Sequence, residues 1–223
     1  MPLPMVHLAV AVQMHEMEGN SPSPDFLLGS IAPDAIHMHP DSGHDDKQRV
    51  HLSETHDPHH GRARLLLAQY RSDNVSAMGF AEGYVAHILT DHLWAETVVD
   101  SFCKSIPSHL STQEQRSLYY LETDQIDFDL YHQMPWRPEV WTKLAAAQPR
   151  DFALSLTAEE IGQWRDRTLI WFEELKQEPM IEPVHITRAA VKGFIDQAAE
   201  EIMKTFKAWQ SPDKERTSDK QAG

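Results

Sequence analysis

The chain has 223 residues, of which 41% are hydrophobic, and its formal net charge is −14. This length and apolar content suit one domain with a real core, and the negative charge argues against binding nucleic acid or an anionic membrane surface. The single cysteine, Cys103, excludes an intramolecular disulfide. Histidine is the unusual residue: there are 14, and seven of them lie between His37 and His60.

The apolar spacing at the start of the chain predicts two helices and a turn. The first helix runs over residues 4–18, begins with prolines, which are tolerated there, and places His7 beside its apolar face. A short helix over residues 25–31 follows. Pro33 then breaks regular structure, so Asp34 begins a new turn between apolar neighbours. A carboxylate in that setting is either a helix N-cap or a metal ligand.

Residues 37–60 are polar and rich in histidine and aspartate. We predict a long irregular loop with a short helix near residues 47–53, and a loop of this length is usually functional or disordered. His51 follows the short helix and is the candidate metal ligand. We expect water to solvate the other loop histidines rather than a metal to bind them; these are His37, His39, His44, His56, His59 and His60.

A helix over residues 61–72 leads to the central helical run, predicted over residues 77–102. His87 and Asp91 are four residues apart in this run and therefore lie on one face, among apolar residues. A metal ion would satisfy both groups at once, and a hydrogen bond between them in the core is the alternative. Cys103, near the end of the run, is expected to be a buried apolar residue.

The rest of the chain predicts three more helices, over residues 111–134, 157–177 and 184–209, the first opened by a capping box of Ser111 and Glu114. We therefore predict one all-α domain over residues 1–209 and a disordered charged tail over residues 210–223. The apolar run near the N-terminus is too short for a membrane span and lacks the pattern of a signal peptide, so the expected location is cytoplasmic.

Histidines and aspartates with apolar neighbours occur at four separate places in the predicted helical protein. Metal sites in helical proteins are assembled in this way, from several facing elements. Imidazoles combined with carboxylates suit Zn²⁺, Fe or Mn²⁺, and an ion with an open position activates water for hydrolysis of a phosphoester or an amide. The candidate ligands are His7, Asp34, His51, His87 and Asp91.

Several of these residues lie in segments that resemble the bacterial zinc-dependent phospholipase C family over roughly residues 1–95. The segments are Met1-Pro2-Leu3-Pro4-Met5-Val6-His7, Leu28-Gly29-Ser30-Ile31-Ala32-Pro33-Asp34, Lys47 four residues before His51, and Gly83-Tyr84-Val85-Ala86-His87-Ile88-Leu89-Thr90-Asp91. The resemblance implies a phospholipase C-like multi-helix bundle with zinc between its helices and the long loop near the metal site.

The resemblance also implies roles for the candidate residues. Asp34, His51, His87 and Asp91 would form the first zinc site, His7 would add a ligand from the N-terminal helix, and Asp34 would also be the general base. We expect one zinc ion, or two, with Mn²⁺ or Fe as alternatives, and metal-bound water as the nucleophile. The expected substrate is a small phosphoester, such as a phosphodiester, with phospholipid as the alternative.

Two other functions compete with this one. The first is an HD-type metal phosphohydrolase, which needs a His-Asp doublet; His44-Asp45 and His56-Asp57 are the candidates. The second is a non-catalytic helical protein that keeps a structural or vestigial metal site. A closed site, in which all positions of the metal are taken by protein ligands, would favour the second.

Overall fold

The computed structural model describes residues 3–53, 57, 59–71, 75–152, 156–174 and 179–210. Within these residues the protein is all-helical, and the only β-type pairing is an isolated bridge between Phe152 and Leu156. The predicted all-α class is therefore confirmed.

Ten α-helices occur in the described part of the chain, with a 3₁₀ segment, Ala32–Met38, after the second and a π-helical turn, Ala95–Val99, after the fifth. The helices are α1 (Pro4–Met17), α2 (Pro24–Gly29), α3 (His44–Val50), α4 (Gly61–Gln69), α5 (Val75–Trp94), α6 (Asp100–Ser105), α7 (Thr112–Gln133), α8 (Arg137–Ala146), α9 (Ala158–Glu174) and α10 (Arg188–Gln210).

Most predicted helices are present. The central run is confirmed, because α5, the π-helical turn and α6 follow one another without a break. The predicted capping box is also confirmed at α7, where the Glu114 N–H donates to the Ser111 hydroxyl at 3.3 Å and the Ser111 N–H donates to the Glu114 carboxylate at 2.8 Å.

Several boundaries differ from the prediction. The short helix of the histidine-rich segment is α3, which begins at His44 and ends at Val50, so the segment is less irregular than expected. The region around Pro138 forms α8, because proline is tolerated in the first turn of a helix. Gln210, assigned to the tail, is the last residue of α10. Residues 175–178 and the tail from residue 211 lie outside the described residues.

Cys103 is exposed, not buried as expected. It lies on α6, where Phe102 is buried, so the neighbouring cysteine falls on the outer side of the helix. It therefore contributes little to the core.

A close contact between α2 and α5 organises the centre of the molecule. Gly29 and Gly83 lie where the two backbones meet, and a Cβ at Gly83 would overlap the Phe26 carbonyl oxygen and lie 2.9 Å from Ser30 N. Glycine is therefore required at this point, since no side chain fits between the helices. The contact places Ser30, at the end of α2, against α5.

The N-terminal end of α1 is held by a buried carboxyl on α7. The Met5 N–H donates to Asp127 Oδ2 at 3.2 Å, and Asp127 is only 2% exposed. Burial raises the pKa of Asp127 well above its ordinary value. The neutral acid is therefore the form that the folded protein favours.

None of the described helices combines the length and the apolar character that crossing a membrane would require.

Gly83→Ala is expected to lower the free energy of unfolding by about 2 kcal/mol or more, because the added methyl group overlaps backbone atoms that cannot rotate away. Gly193→Ala is the matched control, since Gly193 lies in α10 with no atom within 4 Å of an added Cβ. It should raise stability by about 0.5–1 kcal/mol. Urea denaturation of both variants measures the difference, and equal stabilities would contradict the close contact.

Asp127→Asn should make the protein more stable at neutral and alkaline pH. Folding raises the pKa of this carboxyl, so the carboxyl stabilises the folded state fully only below its unfolded pKa of about 3.9. This stabilisation is lost as the pH rises through the pKa of the folded state. The variant should therefore melt at a higher temperature than the parent at pH 8, with the difference narrowing toward pH 4. Asp196→Asn, on the exposed side of α10, is the control and should show no such trend.

Candidate metal centre

The structure brings all five predicted ligands together. His7 lies in the first turns of α1, Asp34 in the 3₁₀ segment, His51 directly after α3, and His87 and Asp91 one turn apart on α5. The side chains of His7 and His87 have no exposure, whereas those of Asp34, His51 and Asp91 keep 8%, 8% and 10%. The cluster is thus enclosed at His7 and His87, and it reaches the surface at Asp34, His51 and Asp91.

The five side chains face one another at distances slightly longer than hydrogen bonds. Asp91 lies 3.5 Å from His7 Nε2, 3.6 Å from His87 Nε2 and 3.7 Å from His51 Nε2. Asp34 Oδ1 lies 3.4 Å from His51 Nε2. Ligand atoms arranged tetrahedrally at about 2.1 Å from one zinc ion stand about 3.4 Å apart, so this spacing fits coordination better than direct bonding.

Six buried side-chain atoms of the cluster have no hydrogen-bond partner. They are Nδ1 and Nε2 of His7, Oδ1 of Asp34, Nε2 of His51, Nε2 of His87 and Oδ1 of Asp91. Leaving buried polar atoms unpaired is costly, and native proteins avoid it. A cation between these side chains would compensate one His7 nitrogen and the atoms of the other four residues, so the residues fit a metal ion.

Backbone carbonyl groups orient two of the histidines through the ring nitrogen that faces away from the cluster. His51 Nδ1 lies 2.9 Å from the Lys47 carbonyl oxygen, and His87 Nδ1 lies 2.9 Å from the Ser30 carbonyl oxygen. An Nδ1–H that donates to a carbonyl leaves Nε2 as the acceptor that faces the cluster. Metal-binding histidines are held in this way.

The pKa values of the two stacked histidines of the cluster shift in opposite directions. Burial, together with the neighbouring His87, lowers the pKa of His7 well below its ordinary value, so its imidazole is neutral. This agrees with its parallel stacking on His87, with ring centroids 3.7 Å apart and planes at 7°. Burial lowers the pKa of His87 as well, but Asp91 outweighs that effect and the pKa is raised.

Both carboxylates are ionised in spite of their burial. Burial raises the pKa of Asp34, but His51 and His87 lower it more strongly. Burial also raises the pKa of Asp91, and His87 and His51 again outweigh it. Two subsets, His7–Asp34–His87 and His51–His87–Asp91, each bring one ligand atom per residue within 4.8 Å of the others. His87 belongs to both subsets, so the two groups adjoin one another, and each could hold a metal ion.

Asp34 does not cap the 3₁₀ segment, whose N-cap is Ile31. The capping alternative that the sequence left open is therefore wrong, and the Asp34 side chain faces the cluster.

The loop histidines that the structure describes lie outside the cluster, apart from His51. His39 pairs with Glu160 at 2.6 Å, and His60 Nδ1 lies 3.2 Å from Nδ1 of His92 on α5. The His37 ring lies 5.7 Å from the Trp164 ring. His37, His39, His44 and His59 are exposed, and His56 lies outside the described residues.

Sequence reasoning missed the two carbonyl groups, of Ser30 and Lys47, that orient the ligands. A backbone carbonyl has no residue-specific signal, although the spacing of four between Lys47 and His51 matches a side chain that reaches back one helical turn. The contact of His60 with His92 was also missed, because it joins residues 32 positions apart.

No family model matches the chain, and comparison with curated proteins and with solved structures finds no match either. The resemblance to zinc-dependent phospholipase C therefore stays a prediction, as does the phospholipase C-like fold. The structure itself defines an all-α protein with a buried His/Asp cluster that could hold a metal ion.

The purified protein should carry a tightly bound transition metal, close to one ion per chain, and His87→Ala or Asp91→Ala should each release it. Both residues contribute buried atoms that nothing else satisfies. His44→Ala is the control, because His44 is exposed and outside the cluster. Metal analysis after gel filtration measures the effect, and full retention in both variants would remove α5 from the site.

His51→Ala should weaken metal binding, whereas the double variant His59→Ala/His60→Ala should not. Only His51 among these three points an unpaired nitrogen into the cluster. A titration with Zn²⁺ after chelation compares the two proteins. The reverse order of affinities would show that a different loop histidine binds the metal.

Proposed function

We propose that this chain is a metal-dependent hydrolase of phosphoester bonds, with zinc as its resident ion. The observation that supports it is the one-sided exposure of the cluster, with Asp34, His51 and Asp91 toward the surface and His7 and His87 fully enclosed. A structural zinc site is closed by four protein ligands, usually cysteines, whereas a catalytic site keeps an accessible position. The chain has one cysteine, which is exposed.

The donor set of the cluster also favours hydrolysis. Neutral imidazoles with carboxylates suit zinc in hydrolytic enzymes, and manganese or iron in the same role. A bound zinc ion would lower the pKa of a coordinated water toward about 7 and polarise a phosphoryl oxygen.

The protein residues would have distinct tasks in such a reaction. The Ser30 and Lys47 carbonyls fix the ring orientations of His87 and His51. His7 and His87 close the inner side of the site against water. Asp34 is ionised and lies toward the surface, so it can accept a proton there. This supports the role of general base that the resemblance implied.

An HD-type site draws no support from the geometry. His44 and Asp45 are exposed at the start of α3, outside the cluster. In the second doublet, His56 lies outside the described residues. The phosphoester hydrolase built on the five buried residues is therefore the function we propose, with a small phosphoester as substrate and phospholipid as the alternative.

The metal-loaded protein should hydrolyse at least one member of a panel of phosphodiesters, phosphomonoesters and short-chain phosphatidylcholine. Activity should rise with pH through roughly 6 to 8, because a water bound to the metal would ionise near neutrality. A chelator should abolish activity, and Zn²⁺ or Mn²⁺ should restore it.

Asp34→Asn is the comparison for this assay, because it keeps the shape of the side chain while removing its charge and its ability to accept a proton. We expect a rate loss of about 10²-fold or more for the same metal content. If no panel member is hydrolysed above the Asp34→Asn background, the non-catalytic alternative is correct.

A further inference from the structure

A small cleft lies between the start of α1 and helix α9. Its volume is about 120 Å³, and it is lined by Leu3, Pro4, Trp164, Arg167, Thr168 and Trp171. Pro4 lies three residues before His7 and so on the same side of α1. One lining residue of the cleft, Pro4, therefore lies about one turn before His7 on α1.

The other wall of the cleft is also tied to the cluster. Helix α9 packs directly on the 3₁₀ segment that carries Asp34, and the Trp164 ring lies 5.7 Å from the ring of His37 in that segment. The segment that carries Asp34 is thus also packed against the helix that carries Trp164. The cleft is linked to the cluster through this shared packing.

Arg167 gives the cleft a positive charge. Its guanidinium lies 5.6 Å from the centre of the Trp164 ring and 5.1 Å from that of Trp171. Among the side chains that the structure describes, no carboxylate forms an ion pair with it. In a chain of net charge −14, an arginine held by aromatic rings rather than by an acid remains free to bind an anion.

A second cation acts on the same region. Burial is the main cause that lowers the pKa of His37; Asp34 opposes it, and the charges of Lys47 and Arg167 lower it further. Both cations are thus close enough to the 3₁₀ segment to influence its groups. Two cations, Lys47 and Arg167, therefore act on the same region as the carboxylate of Asp34.

We propose that this cleft is the substrate-binding cleft of the metal site and that it selects phosphoesters of an aromatic alcohol. Arg167 binds a phosphoryl oxygen, and the organic group lies against Trp171, Leu3 and Pro4. Trp171 is 37% exposed, so it offers a flat apolar surface to such a group. The inference rests on the proposed function, since it names the substrate class of the same site.

Two non-hydrolysable probes test the cleft by calorimetric titration into the zinc-loaded protein: phenylphosphonate and methylphosphonate. Phenylphosphonate should bind about tenfold more tightly, because only its ring can lie on Trp171. Trp171→Ala should remove this preference and leave methylphosphonate binding unchanged. Arg167→Gln should weaken both probes about tenfold, through loss of a charge-assisted contact.

Arg116→Gln is the matched control. Arg116 lies on α7, and its guanidinium is 5.5 Å from the centre of the Tyr120 ring. This pair repeats the contact of Arg167 with Trp171, since the two residues are again four positions apart on one helix, but it lies outside the cleft. It should bind both probes as the parent does. Arg167 and Trp171 are exposed, and melting temperatures equal to that of the parent show that the variants are folded.

Two results would contradict the proposed role of the cleft. One is failure of the parent protein to bind either phosphonate, and the other is parent-like binding by both Arg167→Gln and Trp171→Ala. The outcome is separable from that of the proposed function. Probe binding that depends on Arg167 and Trp171 without any hydrolysis supports the cleft and contradicts the hydrolase. Hydrolysis with an unchanged KM in both variants supports the hydrolase and contradicts the cleft.

Discussion

The burial of six unpaired nitrogen and oxygen atoms in one small volume is the constraint on which this structure depends. Each such atom costs about 1–3 kcal/mol, and a typical domain has only about 5–15 kcal/mol of net stability. Their combined cost is therefore comparable with the stability of a whole domain. A cation would satisfy most of them, although only one of the two His7 nitrogens can face it, whereas hydrogen bonds within the cluster would need shorter distances than the observed 3.4–3.7 Å. The helices hold the candidate ligands apart at a spacing that an ion could fill, so a metal ion bound there would add to the stability of the fold.

The packing of α2 on α5 connects the fold to this site. Gly29 and Gly83 bring the two backbones together, and the next residue after Gly29, Ser30, offers its carbonyl to His87 at 2.9 Å. The orientation of one ligand ring is therefore set by backbone packing, with no polar side chain involved. A ligand fixed in this way has little freedom to rotate, which favours a defined geometry over a loose one.

The parts of this arrangement that follow from local spacing could be predicted from the sequence. His87 and Asp91 share a helix face by their separation of four, and Asp34 stands out as a carboxylate among apolar residues. The complete burial of His7 could not be predicted in the same way, because α1 is apolar on nearly all sides and its pattern does not mark one inner face. Contacts between elements that are far apart in the sequence could not be predicted either. The packing of α9 on the 3₁₀ segment brings Trp164 to His37, and nothing near either residue indicates the other.

The order of the ligands along the chain has a consequence for how such a protein can change. Every candidate ligand precedes residue 92, while Trp164, Arg167 and Trp171 come from a helix that begins at Ala158. Substitutions on the outer face of α9 can therefore alter the surface beside the cluster without moving any ligand, because the two contributions meet only in space. The candidate ligands and the residues of the proposed cleft come from separate stretches of this sequence, so one set can vary while the other is kept.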